Sequence, residues 1–266
     1  MRLASSISRS TILIGALALA GCAAPAPLPP DAAATSVPLP TATDAFPTFA
    51  ASATVPPAPS ETAAPSLNHQ LGPLVFTAEF APDAGWSLGS DPAGGASLSG
   101  ETLVLAVSLP NASRSVIAPA PPESDFLLEA SVRAGLCSGA DEIGVLFRVS
   151  PQGDHYRFTL DCQGGVRVTR VLGAGAVLLA GPAHAASAIP GSPAKNQITV
   201  LARGEDFTLF VNGEEVLQAR DPFLASGRFG FFVRSASQGQ TTAALTAFTL
   251  HALRPAATPS VPPASG

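Results

Sequence analysis

The chain has 266 residues, 14 Lys and Arg against 19 Asp and Glu, and a formal net charge of −5. Bulk charge of that sign gives no reason to expect nucleic acid as a partner. Hydrophobic residues make up 46% of the chain, but much of that is alanine near the N-terminus, so it does not indicate a membrane-embedded domain.

Arg2 and Arg9 form a short positive region, and Ile12 to Ala20 follows as an apolar run interrupted at Gly15. A bilayer span needs about 20 apolar residues, so this run has the proportions of a secretory signal. It closes on Leu19-Ala20-Gly21-Cys22. Small residues at 20 and 21 let a peptidase approach the backbone, and the Cys22 thiol can take a diacylglycerol by thioether linkage. The stretch resembles the lipobox of bacterial lipoproteins. The resemblance implies a signal over residues 1–21 and a lipid on Cys22 that attaches the protein to the outer face of a membrane in the cell envelope. Each buried lipid CH₂ adds about 0.8 kcal/mol, and two or more chains anchor stably. The other reading is an ordinary cleaved signal with a chance cysteine.

Residues 22–67 are rich in Pro, Ala, Ser and Thr and show no period of 2 or 3.6. Proline removes backbone donors, and few large apolar groups offset the entropy of ordering. This segment is expected to be a flexible stalk, with about 45 residues averaging roughly 35–40 Å end to end. Residues 255–266 read the same way, as a disordered tail. Residues 68–254 remain for one folded domain.

In that region period-2 runs replace helical periodicity. They are "LVFTAEF" from Leu74, "TLVLAVSL" from Thr102, "FLLEASVRA" from Phe126, "IGVLFRVS" from Ile143, "HYRFTLD" from His155 and "GVRVTRV" from Gly165. "QITVLARG" from Gln197, "DFTLFVNGEEVLQA" from Asp206, "RFGFFVRS" from Arg228 and "ALTAFTLHAL" from Ala244 follow. Asn212-Gly213 marks a type I′ hairpin turn, since both residues tolerate positive φ. Turns at 151–154 and 163–165 join three strands into an antiparallel meander. The pattern predicts an all-β, antiparallel two-sheet β-sandwich.

Alternation puts Ile143, Val145, Phe147 and Val149 on one face of the meander, with Tyr156, Phe158, Leu160, Val166 and Val168. Arg148, His155, Arg157, Arg167 and Thr169 fall on the other. Three guanidiniums on neighbouring strands would form a positive stripe suited to an anionic or hydroxyl-rich ligand. The plain alternative is a solvated face whose arginine stems cover apolar surface, with Asp161 and Glu129 as internal partners. Cys137 and Cys162 are an even pair in an exported chain, which favours a disulfide. The alternative is two free buried thiols.

"EFAPDAGWSLGSD" resembles the F-x-x-x-x-G-W opening of extracellular concanavalin A-like jelly-roll domains, a group that includes laminin G-like modules and the domain named for 3-keto-disaccharide hydrolases. "DFLLEASVRA", "IGVLFRVSPQGDHYRFTLDCQGGVRVTRV", "FTLFVNGEEV", "ASGRFGFFV" and "LTAFTLHAL" keep the same order of blocks. The resemblance implies a jelly roll from about Leu74 to Leu253. Its blocks are turns and core aromatics, so it bears on fold more than on activity.

Glycosidases need two carboxylates flanking the bond. In jelly-roll glucanases they follow Glu-x-Asp-x-Glu or Glu-x-Asp-x-x-Glu, and the nearest match here, Glu123, Asp125 and Glu129, is one residue too long. Asp141-Glu142 reads as a solvated turn. The histidines have no metal-ligand spacing, and no cofactor is expected. Trp86 reads as a packing residue rather than a glycan platform. The chain is therefore expected to be a non-catalytic envelope module that binds a glycan or a protein partner. A glycoside hydrolase with an unfamiliar constellation and a spacer lipoprotein without a ligand are the alternatives. Cys22→Ala should abolish incorporation of radiolabelled fatty acid and move the protein out of the membrane fraction. Membrane retention without label would overturn the anchor.

Overall fold

The computed structural model describes residues 71–236 and 239–254. The signal at 1–21, Cys22, the stalk at 22–67 and the tail at 255–266 lie outside the described residues. Fifteen strands account for the fold. The first five are β1 (Leu71–Thr77), β2 (Gly89–Asp91), β3 (Gly94–Leu98), β4 (Leu103–Val107) and β5 (Ser113–Ile117). The next five are β6 (Phe126–Leu136), β7 (Glu142–Val149), β8 (His155–Asp161), β9 (Gly165–Leu172) and β10 (Gly175–His184). The last are β11 (Ala194–Arg203), β12 (Asp206–Val211), β13 (Glu214–Arg220), β14 (Arg228–Arg234) and β15 (Thr241–Leu253).

They form two antiparallel sheets packed as a sandwich. The larger has nine strands in the order β13-β12-β11-β6-β15-β4-β3-β2, with β1 also paired to β15. The smaller has six, in the order β10-β9-β8-β7-β14-β5. The expected meander is its β7-β8-β9 segment, and β12 and β13 form the expected hairpin, with φ of 51° at Asn212 and 83° at Gly213. The runs without clear alternation also form strands. β2 and β3 carry glycines and serine, β5 is short, and β10 is a continuous apolar run broken by Gly181-Pro182. β10 is an edge strand, and its pairing with β9 is irregular between Leu178 and Ala180 and again between Ala180 and Ala183.

Alternation explains the core. Val145, Phe147, Tyr156, Phe158 and Val168 point from the smaller sheet onto Leu128, Ile198, Val200, Phe207 and Leu250 of the larger. Five aromatics, Phe126, Phe147, Tyr156, Phe207 and Phe229, meet at centroid distances between 4.8 and 6.1 Å. Each such buried ring contributes about 1.5–3 kcal/mol by apolar burial. Trp86 is buried, stacks on Phe80 and donates its indole N–H to the Glu79 carbonyl at 2.8 Å.

Strict alternation fails at Arg148. Phe147 and Arg148 together face the single residue Phe229 of β14, a β-bulge, and Arg148 has a φ of 50°. The extra residue swaps the faces beyond it. Arg148 therefore turns inward and Val149 outward, the reverse of the alternation reading. Arg148 is 1% exposed, and its guanidinium lies over Phe207, 5.0 Å from the ring centroid. It donates to the carbonyls of Leu224 at 2.9 Å and of Ser124 and Gly204 at 2.7 Å. Ser124 and Leu224 lie in two of the connections that cross between the sheets, β5 to β6 and β13 to β14. At the other end of the sandwich, Cys137 and Cys162 are bonded, with Cα atoms 5.8 Å apart. That bridge links the end of β6 in one sheet to the end of β8 in the other, and closing its loop is worth about 3–3.5 kcal/mol in the chain-entropy model.

Beside Arg148, the buried Tyr156 hydroxyl donates to Asp221 Oδ1 at 2.6 Å and accepts from the Leu224 N–H at 3.1 Å. Burial, then the bond to Asp221, pushes its pKa up to about 12. Arg170 donates to the other Asp221 oxygen at 2.5 Å. Arg148→Ala leaves three carbonyls without their donor and should cost about 2–4 kcal/mol. For a domain of this size that is a drop in Tm of about 5–15 °C, measurable by calorimetry. Arg148→Lys should recover little, because an ammonium lacks the planar fork. An unchanged Tm in both would show that the bulge does not depend on this side chain.

Candidate functional site

The outer face of the six-stranded sheet carries the candidate site. Register sets its rows. Leu146 of β7 stands between Gly230 of β14 and Arg157 of β8, with Thr169 of β9 beyond Arg157. In the next row Gly144 stands between Phe232 and Thr159, with Arg167 beyond Thr159. A Cβ on Gly144 would collide with the carbonyl oxygen of Phe158, so this position admits no side chain. Arg157 uses the gap. Its guanidinium reaches across to Phe232 and lies 4.5 Å from the ring centroid.

A cleft of about 700 Å³ opens on the same face; Leu146, the cross-strand neighbour of Arg157, lines it, while Arg157 and Phe232 stand outside its lining. Its floor is Ile117, Leu146 and Val149, its walls include Pro122 and Pro151, and Ser115, His155, Ser226 and Arg228 supply polar groups. Leu146, Val149 and Phe232 form a small hydrophobic cluster of their own on this face, separate from the core. The Arg148 bulge creates it by turning Val149 outward, and Gly227 permits it, since a Cβ there would strike the Arg148–Val149 backbone. Among the described residues, the cleft lining contains no carboxylate.

The five residues expected to bind a ligand divide accordingly. Arg157, Arg167, His155 and Thr169 share the outer face. Arg148 does not, because the bulge buries it. Thr169 is 7% exposed and lies beneath its neighbours. Arg167 is committed to Glu142, which also pairs with Arg234 at 3.3 Å. The internal partner is thus Glu142, not Asp161 or Glu129. Asp161 turns its carboxylate to the N–H groups of Gln163 and Gly165 at 2.9 and 2.7 Å. Glu129 lies on β6 in the other sheet and takes a bond from Gln197 at 3.0 Å. Asp141 and Glu142 are not a solvated turn: each is 1% exposed. Asp141 caps the backbone, accepting from the N–H groups of Ala236 at 2.8 Å and Ser138 at 3.1 Å.

The Arg157 guanidinium makes no hydrogen bond or ion pair with any described residue. Burial is the largest influence lowering its pKa, Glu142 opposes it, and Arg234 and Arg167 add to it. The group remains cationic at neutral pH, as arginine does in proteins. Gly144, Phe232 and Arg234 were not singled out from sequence, and Glu142 was read only as part of a solvated turn. Parity along β7 carried a signal for Glu142, which alternates with Gly144 and Leu146. Among the described residues no group of three His, Cys, Asp or Glu side chains is placed to hold a metal ion.

No family model matches the chain, and no curated protein matches it. Solved structures do match. A carbohydrate-binding module, CBM66 of Bacillus subtilis, is similar at 17% identity with a TM-score of 0.51, covering 64% of this chain and 96% of that one. A galectin-like protein of unknown function from Bacillus subtilis matches at 12% identity and a TM-score of 0.52, over 69% of this chain and 98% of that one. The catalytic domain of an endo-1,3-beta-glucanase (laminarinase) from Thermotoga petrophila RKU-1 matches at 9% identity and 0.51, over 70% and 100%. At these identities the likeness is one of fold, and it bears out the jelly-roll sandwich.

His155 stands at the cleft edge with Nδ1 2.7 Å from the Gly153 carbonyl. Donation to that carbonyl fixes the Nδ1–H tautomer in the neutral ring and leaves Nε2 free. Burial lowers its pKa most, the Gly153 bond opposes, Arg157 lowers it further and Asp154 raises it. The folded pKa lies below the unfolded value of about 6.5. Its contribution to stability is therefore complete above the unfolded value and lost as pH falls toward the folded one. NMR titration should give a His155 midpoint below that of the denatured chain. Thermal scans from pH 7.5 to 5 should show a loss of stability that is smaller in His155→Gln. A midpoint above the denatured value would contradict the burial of this ring.

Proposed function

We propose that the chain is an envelope lipoprotein, held to a membrane by a lipid on Cys22, whose sandwich is a non-catalytic glycan-binding module using the cleft on the six-stranded sheet. The observation that carries the reading is the cleft itself. An apolar floor with a few convergent polar groups, at about 700 Å³, is the usual construction of a small-ligand site, roughly 300–1,000 Å³. Apolar floor and hydroxyl-rich rim match the two chemical faces of a sugar ring. The absence of a carboxylate from the described lining favours binding over hydrolysis, which needs an acid and a base or nucleophile about 5–10 Å apart. A fold shared with a carbohydrate-binding module and a glucanase domain is consistent with the choice of ligand.

Ser115 is exposed on β5 at the cleft wall, so a large side chain there would fill the cleft from outside without entering the core. On a glycan array, Cys22→Ala protein should retain a defined set of glycans. Ser115→Trp should lower that binding at least about tenfold, or 1.4 kcal/mol, with Tm unchanged. Bound oligosaccharide should be recovered intact. Binding that Ser115→Trp leaves undiminished would move the site elsewhere. An array with no bound glycan, or release of shortened products, would defeat the reading.

A further inference from the structure

The outer face of the six-stranded sheet holds three guanidiniums around one carboxylate. Glu142 Oε1 takes both Arg167 and Arg234. Glu142 is 1% exposed, and its Oε2 is buried with no partner among the described residues; Arg157 feels its charge but forms no ion pair with it. Arg157 is left over. Its cross-strand neighbours, Leu146 and Thr169, are uncharged. The other acids on this side are occupied: Asp161 by the turn at 163–165, and Asp154 by the Gly173 N–H at 2.7 Å.

Like charges gathered on one face are mildly destabilising, yet Arg157 is held in place rather than left to swing into solvent. Gly144 clears its path, and the Phe232 ring supports one face of the guanidinium. A planar fork fixed in this way loses little conformational freedom when it captures a bidentate oxyanion. Leu146, its cross-strand neighbour, is part of the cleft floor, and His155, two residues along the same strand, is part of the cleft edge. The cleft's own charged groups are Arg228 and the titratable His155, so its surroundings are cationic although the chain as a whole carries −5.

We propose, building on the glycan-binding reading above, that the ligand is an acidic glycan whose sugar-borne oxyanion, a uronate carboxylate or a sulfate ester, is taken by Arg157 while the sugar ring occupies the cleft. The net negative charge of the chain opposes non-specific adsorption of a polyanion, so the selectivity comes from this local arrangement.

The test uses the full chain in non-ionic detergent and two matched probe pairs, polygalacturonate against its methyl ester and dextran sulfate against dextran. The expected result is binding to the charged member of one pair, at least tenfold tighter than to its neutral counterpart and weakening as salt is raised. Which pair responds identifies carboxylate or sulfate. Arg157→Gln should lower that binding at least tenfold, Arg157→Lys should lower it several-fold, and Ser115→Trp should abolish it. Should Arg157→Gln fail to fold, Arg157→Lys carries the comparison, since it keeps the charge and loses the fork. Equal binding to charged and neutral members, blocked by Ser115→Trp, would overturn the acidic ligand and leave the glycan cleft standing. Charged-polymer binding that survives both Ser115→Trp and the Arg157 variants would be surface adsorption and would overturn the proposal. No binding to any of the four polymers, together with an empty array, would overturn this proposal and the glycan reading together.

Discussion

A single buried guanidinium organises one end of the sandwich. Arg148 donates to three carbonyls from three different loops, two of which carry the chain from one sheet to the other. A cation removed from water needs partners, and besides these three carbonyls Arg148 has the Phe207 ring, while its Nε has no hydrogen-bond partner among the described residues. Its position therefore fixes the loops, and the loops fix it. The Tyr156–Asp221–Arg170 group beside it ties down the β13–β14 connection a second time. The disulfide does comparable work at the far end by covalent means. Between these two clamps the core needs only ordinary apolar packing.

The same bulge shapes the outer surface. By adding one residue to β7 it sends Arg148 in and Val149 out, and the floor of the cleft follows from that exchange. A regular strand would have placed a cation where the cleft now has an apolar wall. Farther along the sheet, one buried carboxylate answers two arginines and leaves a third unanswered. Core stability and surface chemistry are thus set by adjacent residues of one strand.

Most of the fold was legible because its strands alternate cleanly. "IGVLFRV", "HYRFTL" and "FTLFV" each put large apolar groups at every second position, and Asn212-Gly213 names its own turn. The Cys137–Cys162 bridge followed from the two cysteines that remain once Cys22 is set aside, in a chain read as exported. The strands that escaped notice are those with little period-2 contrast: the three-residue β2, the Gly-rich β3, the short β5, and β10, whose apolar run shows no alternation. The site was legible only in part. Arg157 and Arg167 were placed on the correct face by parity, while Arg148 was misplaced because a bulge leaves no local mark in composition. Glu142 was missed for a different reason. An adjacent acidic pair reads as exposed, and only the assembled sheet shows two arginines arriving at it, Arg234 from β14 on one side and Arg167 from β9 on the other.

The irregular edge strand β10 has a consequence for molecules in a crowd. A straight, exposed strand edge is a template on which a second copy can extend the sheet. Along β10 the ladder is broken twice within six residues, Leu178 to Ala183, and Pro182 contributes no amide hydrogen at all. The twist and spacing of its outward N–H and C=O groups therefore do not repeat, and a partner strand finds no continuous ladder to join. Val177 and Leu178 remain exposed on that edge, but the regular stretch that holds them runs only from Gly175 to Leu178. For copies packed side by side at high density, β10 offers no continuous ladder through which two domains could merge into one sheet.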